Sequence, residues 1–381
     1  MNFRSYEIKD ICKIKSGKRL PKGTDFSEKP TKHKYIRARD IKNGKIDGSD
    51  LGYISEETQK KIERYIVNTN DIIITIAGTI GEVALVSKKF DGVNLTENAV
   101  RLTEFSKDVC PEFLAYILKS PERKEYMEQV AGGSAQPKLG IYKIEAIKVD
   151  LPDIQIQHKI ADILSAYDDL IENNQKQIKL LEEAAQRLYK EWFVDLRFPG
   201  HENTEIVDGV PEGWSRGLLK ELISVNYGKD HKKAPDDGNI PVYGSGGLMR
   251  KCNKSLFSGE AVLIPRKGSL NNIMYVDETF WTVDTMFYAT MKQPHTAVFV
   301  YFFVKAFDMY SMNIGAAVPS MTTKILDAMD VVIPDKETLE KFDKCAKTYF
   351  NKIKTLQGQN ERLKIARDLL LAKLMSGEVE V

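Results

Sequence analysis

The chain of 381 residues is 29% charged and 42% hydrophobic, with a formal net charge of +2. This balance excludes an intrinsically disordered chain, and the length predicts two domains rather than one core. The opening segment MNFRSYEIKD has no apolar stretch typical of a signal peptide, and no run approaches the roughly 20 apolar residues of a membrane helix. The four cysteines are far apart and form no CxxC pair. We therefore expect a reducing, cytoplasmic location without disulfides or zinc ribbons.

The first half of the chain indicates a basic α/β unit followed by a long helix. Residues 9–45 contain 13 Lys and Arg against four Asp and Glu, an excess that attracts polyanions. The segment VDLPD (149–153) then predicts a strand that ends at Pro152, with Asp153 as the N-cap of a helix. We assign residues 1–153 to the first unit and residues 154–195 to its helix.

The helix after Asp153 has the apolar spacing of a coiled coil. Its apolar or semi-apolar positions alternate by four and three with one slip near Asn174, and they are 156, 160, 163, 167, 170, 174, 178, 181, 185, 188 and 192. A helix of about 38 residues would be roughly 57 Å long at 1.5 Å per residue. Residues 150–195 carry ten acidic against five basic side chains, so this helix is anionic where the preceding unit is cationic.

The second half of the chain repeats the first. A polar linker (196–213) leads to a second unit (214–335) and a second helix (336–376), for which Asp335 is the predicted N-cap. The same coiled-coil spacing occurs in this helix at positions 342, 346, 349, 353, 356, 360, 363, 367, 370 and 374, with Asn360 and Arg367 as polar interruptions. With an offset of 182 residues, segment 133–193 aligns with segment 315–375 without a gap.

This repeat predicts a mixed α/β fold class. Because neither helix can bury its apolar face alone, we expect two similar domains joined by a pair of long antiparallel coiled-coil helices, as an internal pseudo-two-fold repeat. The alternative is two separate helices, each packed on its own domain, although both are far longer than the usual three-turn helix.

Candidate contacts to nucleic acid follow from side-chain chemistry. Residues 229–267 hold eight basic against four acidic side chains, in the same part of the second unit as the basic segment of the first. Arg, Asn and Gln can form paired hydrogen bonds with base edges, whereas Lys more often binds phosphate. The base-reading candidates are Arg37, Arg39, Arg266, Asn271 and Asn272. The phosphate-binding candidates are Lys18, Arg19, Lys22, Lys229, Lys232 and Lys267.

Two loops rich in small residues add further candidates. The loop GGSAQPK places Gln136 and Lys138 on either side of a proline, and its counterpart in the second half is GAAVPSM. The turn PVYGSGG contributes Tyr243 and Ser245. Small residues let a backbone approach a ligand closely, so we expect both loops to lie against bound DNA.

Catalytic and metal-binding motifs are missing from the sequence. Neither a Walker A motif nor the Asn/Asp-Pro-Pro-aromatic tetrapeptide of methyltransferases occurs, and no Pro-Asp pair is followed by the Glu-x-Lys typical of nucleases. The five histidines, at positions 33, 158, 201, 231 and 295, are isolated from one another. The sequence therefore predicts no catalytic site, no metal site and no cofactor bound by this chain.

The chain resembles, over essentially its whole length, the specificity (S) subunits of Type I restriction-modification systems. The resemblance is most specific in the first helix (LPDIQIQHKIADILSAYDDLIENNQKQIKLLEEAAQRLYKEWFVDLRF), in VPEGW, in PVYGSGG and in LLLAKLMSGEVEV. It implies two target-recognition domains without a catalytic site, each reading one half of a split double-stranded DNA target, while the helices set the gap. Because the two units differ outside the matched segments, it implies two different half-sites.

The resemblance also implies partners: two methyltransferase (M) subunits and two restriction (R) subunits. S-adenosylmethionine for adenine-N6 methylation, and ATP and Mg for cleavage, would be used by those subunits. We expect Glu172, Arg187 and Trp192 to be exposed on the helix and to dock partners. Two alternatives stay open, namely a coiled-coil adaptor whose basic domains bind acidic proteins and a silent spare S subunit without a methylation target.

Overall fold

The computed structural model describes residues 2–132, 137–312, 320–376 and 378–381. The chain divides into two compact units, the first formed by Met1–Glu172 and Asn360–Val381 and the second by Asn173–Gln359. Within the described residues, no helix has the length and apolarity needed to cross a membrane.

The first unit combines short strands with short helices. Its strands are β1 (Arg4–Glu7), β2 (Lys13–Ser16), β3 (His33–Ile36), β4 (Ile41–Lys42), β5 (Lys45–Ile46), β6 (Gly52–Ile54), β7 (Ile72–Thr75), β8 (Val83–Leu85), β9 (Asn94–Leu95), β10 (Ala99–Thr103) and β11 (Lys148–Leu151). Its short helices are α1 (Ile8–Ile11), α2 (Glu56–Lys61), α3 (Pro111–Leu118), α4 (Pro121–Ala131) and α5 (Ile141–Glu145). The long helix α6 (Ile154–Tyr189) follows β11 and continues as a π-helical turn, Lys190–Val194.

A four-stranded antiparallel sheet in the order β2-β10-β7-β8 organises the core of the first unit. Every residue of β7 is buried. Ile72 and Ile74 belong to one apolar cluster, together with Phe113 and Ile160 from helices, while Ile73 belongs to another. Successive side chains on a strand point to opposite faces, so the continuous apolar run IIIT is explained by burial on both faces of the sheet.

The second unit has longer strands. They are β12 (Ile206–Val207), β13 (Val210–Pro211), β14 (Ser215–Leu218), β15 (Ile223–Tyr227), β16 (Ile240–Gly244), β17 (Gly247–Cys252), β18 (Phe257–Pro265), β19 (Met274–Thr282), β20 (Met286–Met291) and β21 (Asp330–Ile333). The helices are α7 (Ala297–Lys305), α8 (Thr323–Asp327) and the long α9 (Lys336–Ser376). Six strands form one sheet in the order β15-β20-β18-β19-β16-β17.

The two units repeat one path of the chain. Strand β1 pairs antiparallel with β11, as β14 pairs with β21, and the order β2-β10-β7-β8 recurs as β15-β20-β18-β19. An offset of 182 residues carries the bounds of β11 onto those of β21 and the bounds of α5 onto those of α8. The mixed α/β fold class and the internal repeat predicted from the sequence are confirmed.

The long helices differ in how well their buried faces were predicted. In α9, positions 342, 346, 353, 356, 360 and 374 are buried, as expected. In α6 the prediction is wrong at Ile163 and Leu170, which are 37% and 52% exposed, whereas Leu164 and Ile171 are buried. Ile160, Leu164 and Ile171 are spaced by four and seven residues and share one helix face. The first two pack in the core of the first unit.

Each unit contains contacts between α6 and α9. In the first unit, Arg367 forms an ion pair with Asp168. In the second unit, the rings of Tyr189 and Trp192 lie 6.3 and 5.8 Å from that of Phe342, between centroids. Pairing of the two helices along their length as an antiparallel coiled coil stays a prediction, as do the domain boundaries drawn from the sequence.

Candidate nucleic-acid interface

A Gly-Lys turn follows the first strand of the central sheet in the first unit. The amide of Gly17 donates to the carbonyl of Ala99 (3.1 Å), and the amide of Lys18 donates to that of Leu95 (2.8 Å). A Cβ atom at Gly17 would overlap the carbonyl oxygen of Thr96 and would lie 2.6 Å from that of Leu95. Only glycine therefore fits here, and the turn directs the exposed Lys18 to solvent.

The second unit contains the same turn. The amide of Gly228 donates to the carbonyl of Met286 (3.0 Å), and the amide of Lys229 donates to that of Thr282 (2.9 Å). A Cβ atom at Gly228 would overlap the carbonyl oxygen of Val283 and would lie 2.5 Å from Oγ1 of Thr282. Lys229 is exposed like its counterpart. The sequence has a Gly-Lys pair at both places, so the two turns are one structural feature present twice.

An aromatic side chain donates a hydrogen bond to the lysine carbonyl of each Gly-Lys turn. The hydroxyl of Tyr35 donates to the carbonyl of Lys18 (2.6 Å), and Nε1 of Trp281 donates to the carbonyl of Lys229 (3.0 Å). Burial raises the pKa of Tyr35 to about 12, so this hydroxyl stays protonated and donates at neutral pH. Nζ of Lys18 also lies 5.6 Å from the ring centroid of Tyr65, a cation–π distance.

A second turn lies beside the first at the same end of the sheet. In the first unit the amide of Ile76 donates to the carbonyl of Asn98 (2.8 Å), and the amide of Leu139 donates to the carbonyl of Ile76 (2.9 Å). An isolated bridge joins Ala77 with Lys138. Strands β2 and β7 end here and β10 begins here, so the loops have fixed starting points.

The second unit reproduces these bonds. The amide of Arg266 donates to the carbonyl of Thr285 (2.8 Å), and the amide of Met321 donates to the carbonyl of Arg266 (2.9 Å). An isolated bridge joins Lys267 with Ser320. We call residues 17–19, 76–81, 96–98 and 138–139 the first loop cluster, and residues 228–230, 266–271, 283–285 and 320–321 the second loop cluster.

Exposed cations lie on the first loop cluster. Lys18, Arg19 and Lys138 are exposed, and Nε of Arg19 lies 2.7 Å from Oε1 of Glu97. Although burial opposes it, hydrogen bonds from Arg19 and Thr96 lower the pKa of Glu97, which therefore stays charged. Because Arg19 remains 81% exposed, this surface ion pair contributes little to stability, and the guanidinium can exchange its partner for a phosphate.

The second loop cluster has a different arrangement of cations. Lys229 and Lys267 are exposed. The guanidinium carbon of Arg266 lies 5.6 Å from the ring centroid of Tyr227, and its Nη1 donates to the carbonyl of Asp284 (3.2 Å). Each loop cluster thus presents two or more basic side chains on a rigid backbone at a sheet end, which suits a polyanionic ligand.

Three basic candidates of the first unit lie outside its loop cluster. Arg37 is largely buried, and its Nε and Nη2 donate to Asp40 at 2.8 and 2.9 Å, which braces the 3₁₀ turn Ala38–Asp40. Arg39 is exposed and lies 3.4 Å from a carboxylate oxygen of Asp50. Lys22 is exposed. Gln136 lies outside the described residues.

Two candidate amides of the second unit have structural hydrogen bonds. Nδ2 of Asn271 donates to Asp308 (2.9 Å), and its Oδ1 accepts from the amide of Met309 (2.8 Å). Nδ2 of Asn272 donates to the carbonyl of Ser245 (2.8 Å), which ties the PVYGSGG turn to the residue that directly follows segment 266–271 of the second loop cluster. Both amides hold loops in place in this structure.

Tyr243 and Lys232 are the remaining candidates in the second unit. The hydroxyl of Tyr243 donates to Glu278 (2.6 Å), and burial together with this bond raises the pKa of Tyr243. Lys232 is exposed on the short 3₁₀ turn His231–Lys233, whose N-cap is Asp230. Only Lys232 of these two therefore has its polar end in solvent.

The helix residues expected to dock partners have different environments. Arg187 is exposed. Glu172 is half-buried and forms an ion pair with Lys45 (2.8 Å between Oε2 and Nζ). The expectation that Trp192 is exposed was wrong, because it is only 8% exposed and its ring packs against Phe342. A large apolar ring gains more from such burial than from solvent contact.

Sequence reasoning missed the aromatic residues around the loop clusters. Tyr35, Tyr65, Tyr227 and Trp281 were not among the candidates, although each contacts a candidate residue. The matched Gly-Lys pairs were the signal that could have found Tyr227, which directly precedes Gly228. Within the described residues, no group of three or more His, Cys, Asp or Glu could hold a metal ion.

The fold and the two loop clusters define a tandem-repeat α/β protein with two related cationic surfaces. Comparison with known families gives a match to the Type I restriction modification DNA specificity domain over residues 2–183 and 211–364. The chain belongs to this family, the specificity subunits of Type I restriction-modification systems. These are the non-catalytic, DNA-recognition subunits of complexes that also contain M and R subunits.

Relatives and a solved structure agree with this assignment. The MjaIX specificity subunit of Methanocaldococcus jannaschii is 27% identical, over 86% of this chain and 82% of that protein. The HindI specificity subunit of Haemophilus influenzae is 22% identical, over 99% of this chain and 100% of that protein. The crystal structure of an S subunit from M. genitalium has the same fold, with a TM-score of 0.60, 19% identity and coverage of 98% and 96% of the two chains.

Proposed function

We propose that each unit binds one half of a split double-stranded DNA target through its loop cluster. The observation that carries this proposal is the repetition of the same backbone hydrogen bonds around two exposed Gly-Lys turns, Gly17-Lys18 and Gly228-Lys229. Rigid turns that direct lysines outward at fixed positions would neutralise phosphates and set the register of each unit on the duplex.

The two half-sites differ in this proposal, because the two loop clusters carry different side chains on the same backbone. The first has Arg19 beside Glu97, and the second has Arg266 beside Tyr227. Base edges are distinguished by the donors and acceptors that reach them. Equivalent loops with different side chains would therefore read different bases in an equivalent position.

The long helices α6 and α9 would set the unread gap between the half-sites as an antiparallel coiled coil. Two recognition domains reach one face of DNA when their half-sites are roughly 34–36 Å apart, about one helical turn. The outer faces of the helices, including the exposed Arg187, would dock two M subunits, and two R subunits would join for cleavage. S-adenosylmethionine would be held by M for adenine-N6 methylation, and ATP and Mg would be used by the partners.

The experiment that tests this proposal is an adenine-methylation map of DNA from cells that express the chain with the M subunit of its own system. We expect one split motif, of which one half changes when residues 1–153 are replaced by another recognition domain and the other half changes when residues 214–335 are replaced. Cells that express M alone are the control. A stable complex without methylation would instead indicate a silent copy or an adaptor and would contradict the proposal.

A further inference from the structure

We propose that Arg266 reads a guanine in the half-site bound by the second unit and that Tyr227 is the positioning residue that orients it. The inference rests on the proposed function and deepens it, since it assigns one base and one pair of side chains. Arg266 is the first residue after β18 and belongs to the second loop cluster. Tyr227 is the last residue of β15, the edge strand of the sheet, and directly precedes the Gly228-Lys229 turn.

The guanidinium is held on two sides. Its carbon lies 5.6 Å from the ring centroid of Tyr227, and Nη1 donates to the carbonyl of Asp284 (3.2 Å). The ring of Tyr227 is in turn fixed against the buried Phe287, with a centroid distance of 5.0 Å and an interplanar angle of 77°. An arginine held between an aromatic ring and a carbonyl loses less rotamer freedom when it binds, so this side chain is prepared for a directional contact.

Two other arginines of the second unit have stronger attachments than Arg266. Arg250 is bound to the carboxylate of Asp236 and, through Nη2, to the carbonyl of Ala234 (2.7 Å). Arg197 forms paired hydrogen bonds of 2.7 and 2.8 Å with the carboxylate of Glu191. The hydrogen bond described for the Arg266 side chain is a single long one to a neutral carbonyl. Its guanidinium thus keeps donors for a ligand.

Guanine is the base that this geometry suits. Its major-groove edge offers two acceptors, O6 and N7, and two parallel N–H donors of an arginine fork match them. The tyrosine ring holds the guanidinium at a cation–π distance without using any of its N–H donors. Lysine at the same place would keep the charge but would lose the paired hydrogen bonds.

The first unit lacks this pair at the equivalent positions. Because Gly17 corresponds to Gly228, Ser16 takes the place of Tyr227. Ile76 takes the place of Arg266, with the equivalent amide hydrogen bond, and is 4% exposed. The guanine contact therefore belongs to the second half-site alone.

The test uses the complex of the full chain with its M subunit and a DNA library randomised over both half-sites, with methylated molecules sequenced. For R266K and R266A we expect the preference for guanine at one base pair of the second half-site to fall by on the order of tenfold to a hundredfold. The first half-site should not change. Y227A should weaken the same preference, whereas Y227F, which retains the ring, should keep it.

The neighbouring K267Q is the matched comparison, because loss of a phosphate contact should reduce methylation evenly across sequences. Melting temperatures of all variants establish that they are folded. If R266K keeps the wild-type motif, or if the lost preference is for another base, the inference is overturned. Wild-type complex that methylates no split motif would overturn the proposed function itself, which is a distinguishable result.

Discussion

Gly17 and Gly228 occupy the same place in the two units, each directly beneath a backbone carbonyl that a Cβ atom would overlap, that of Thr96 in the first unit and that of Val283 in the second. The close approach positions the following lysine in both loop clusters. Because backbone atoms cannot move aside as a flexible side chain can, these two glycines are required for the turns and not only tolerated there.

Substitution of either glycine by alanine should destabilise its unit. We expect G17A and G228A each to lower the free energy of unfolding by about 1–3 kcal/mol, the usual cost of overpacking. G246A is the control, since a Cβ at Gly246 meets nothing within 4 Å. Urea denaturation monitored by circular dichroism measures the free energy of unfolding of the three variants. Equal stability of G17A and G246A would show that the turn relaxes without cost.

Asp168 should stabilise the first unit more than its neighbour Asp169 does. Asp168 accepts from the hydroxyl of Tyr116 (2.8 Å) and pairs with Arg367, and both partners of this ion pair are mostly buried. D168N removes the charge that faces Nη1 of Arg367 and leaves this guanidinium paired with Asp368 alone, so the variant should cost about 1–3 kcal/mol. Asp169 is exposed, and D169N should stay within about 0.5 kcal/mol. Thermal and urea unfolding of both variants measure the two free energies of unfolding. Equal losses in D168N and D169N would contradict a stabilising role of Asp168.

Lys18 and Lys229 should each contribute one phosphate contact to DNA binding. Each neutralised phosphate adds about 0.9 to the slope of log affinity against log salt concentration. We therefore expect K18Q and K229Q each to reduce that slope by about 0.9, and the double variant by about 1.8. The measurement is a salt titration of binding to a duplex that carries the methylated motif.

Lys107 provides the matched control for this titration. It is exposed and follows the opposite end of β10 from the first loop cluster. K107Q should leave the slope unchanged. A slope that falls as much in K107Q as in K18Q would mean that the loop clusters have no special part in phosphate binding.

Stability should depend on pH through Lys119. Burial lowers the pKa of Lys119 from 10.5 to about 8, an effect that Asp168 opposes and that Arg367 and Lys45 reinforce. Below about pH 8 both the folded and the unfolded chain hold this proton, and the buried charge reduces stability. Between about pH 8 and 10.5 only the unfolded chain holds it, so the free energy of unfolding should rise with pH.

The pH prediction is measured as a difference between variants. Wild-type stability relative to K119M should increase from pH 8 to pH 10, because the variant has no proton to lose at this position. A difference between wild type and K119M that stays constant over this range would contradict the lowered pKa.

The sequence was sufficient for the repeat and for the mixed α/β class, because these are properties of spacing along the chain. The offset of 182 residues predicted the correspondence of β11 with β21, and six of the ten positions predicted for the buried face of α9 are buried. Asp335 caps the second helix, since its Oδ1 accepts from the amide of Thr338 (2.9 Å). Such local features depend on residues a few positions apart.

Part of the candidate site could also be found from the sequence. The paired Gly-Lys turns lie at equivalent places because the same backbone path is encoded twice. Their lysines are exposed, as the phosphate-binding hypothesis needs. Charge counts located the basic segments, but a count does not tell which cation is already paired within the protein.

Only the tertiary structure decided which side chains are available and what surrounds them. Arg37 binds Asp40, and Trp192 is covered by Phe342. Tyr227 meets Arg266 although the two are far apart in the chain. The buried face of α6 follows the core it packs against and not the regular heptad. These outcomes depend on contacts between distant segments, whose energies are settled by packing and desolvation after the chain has folded.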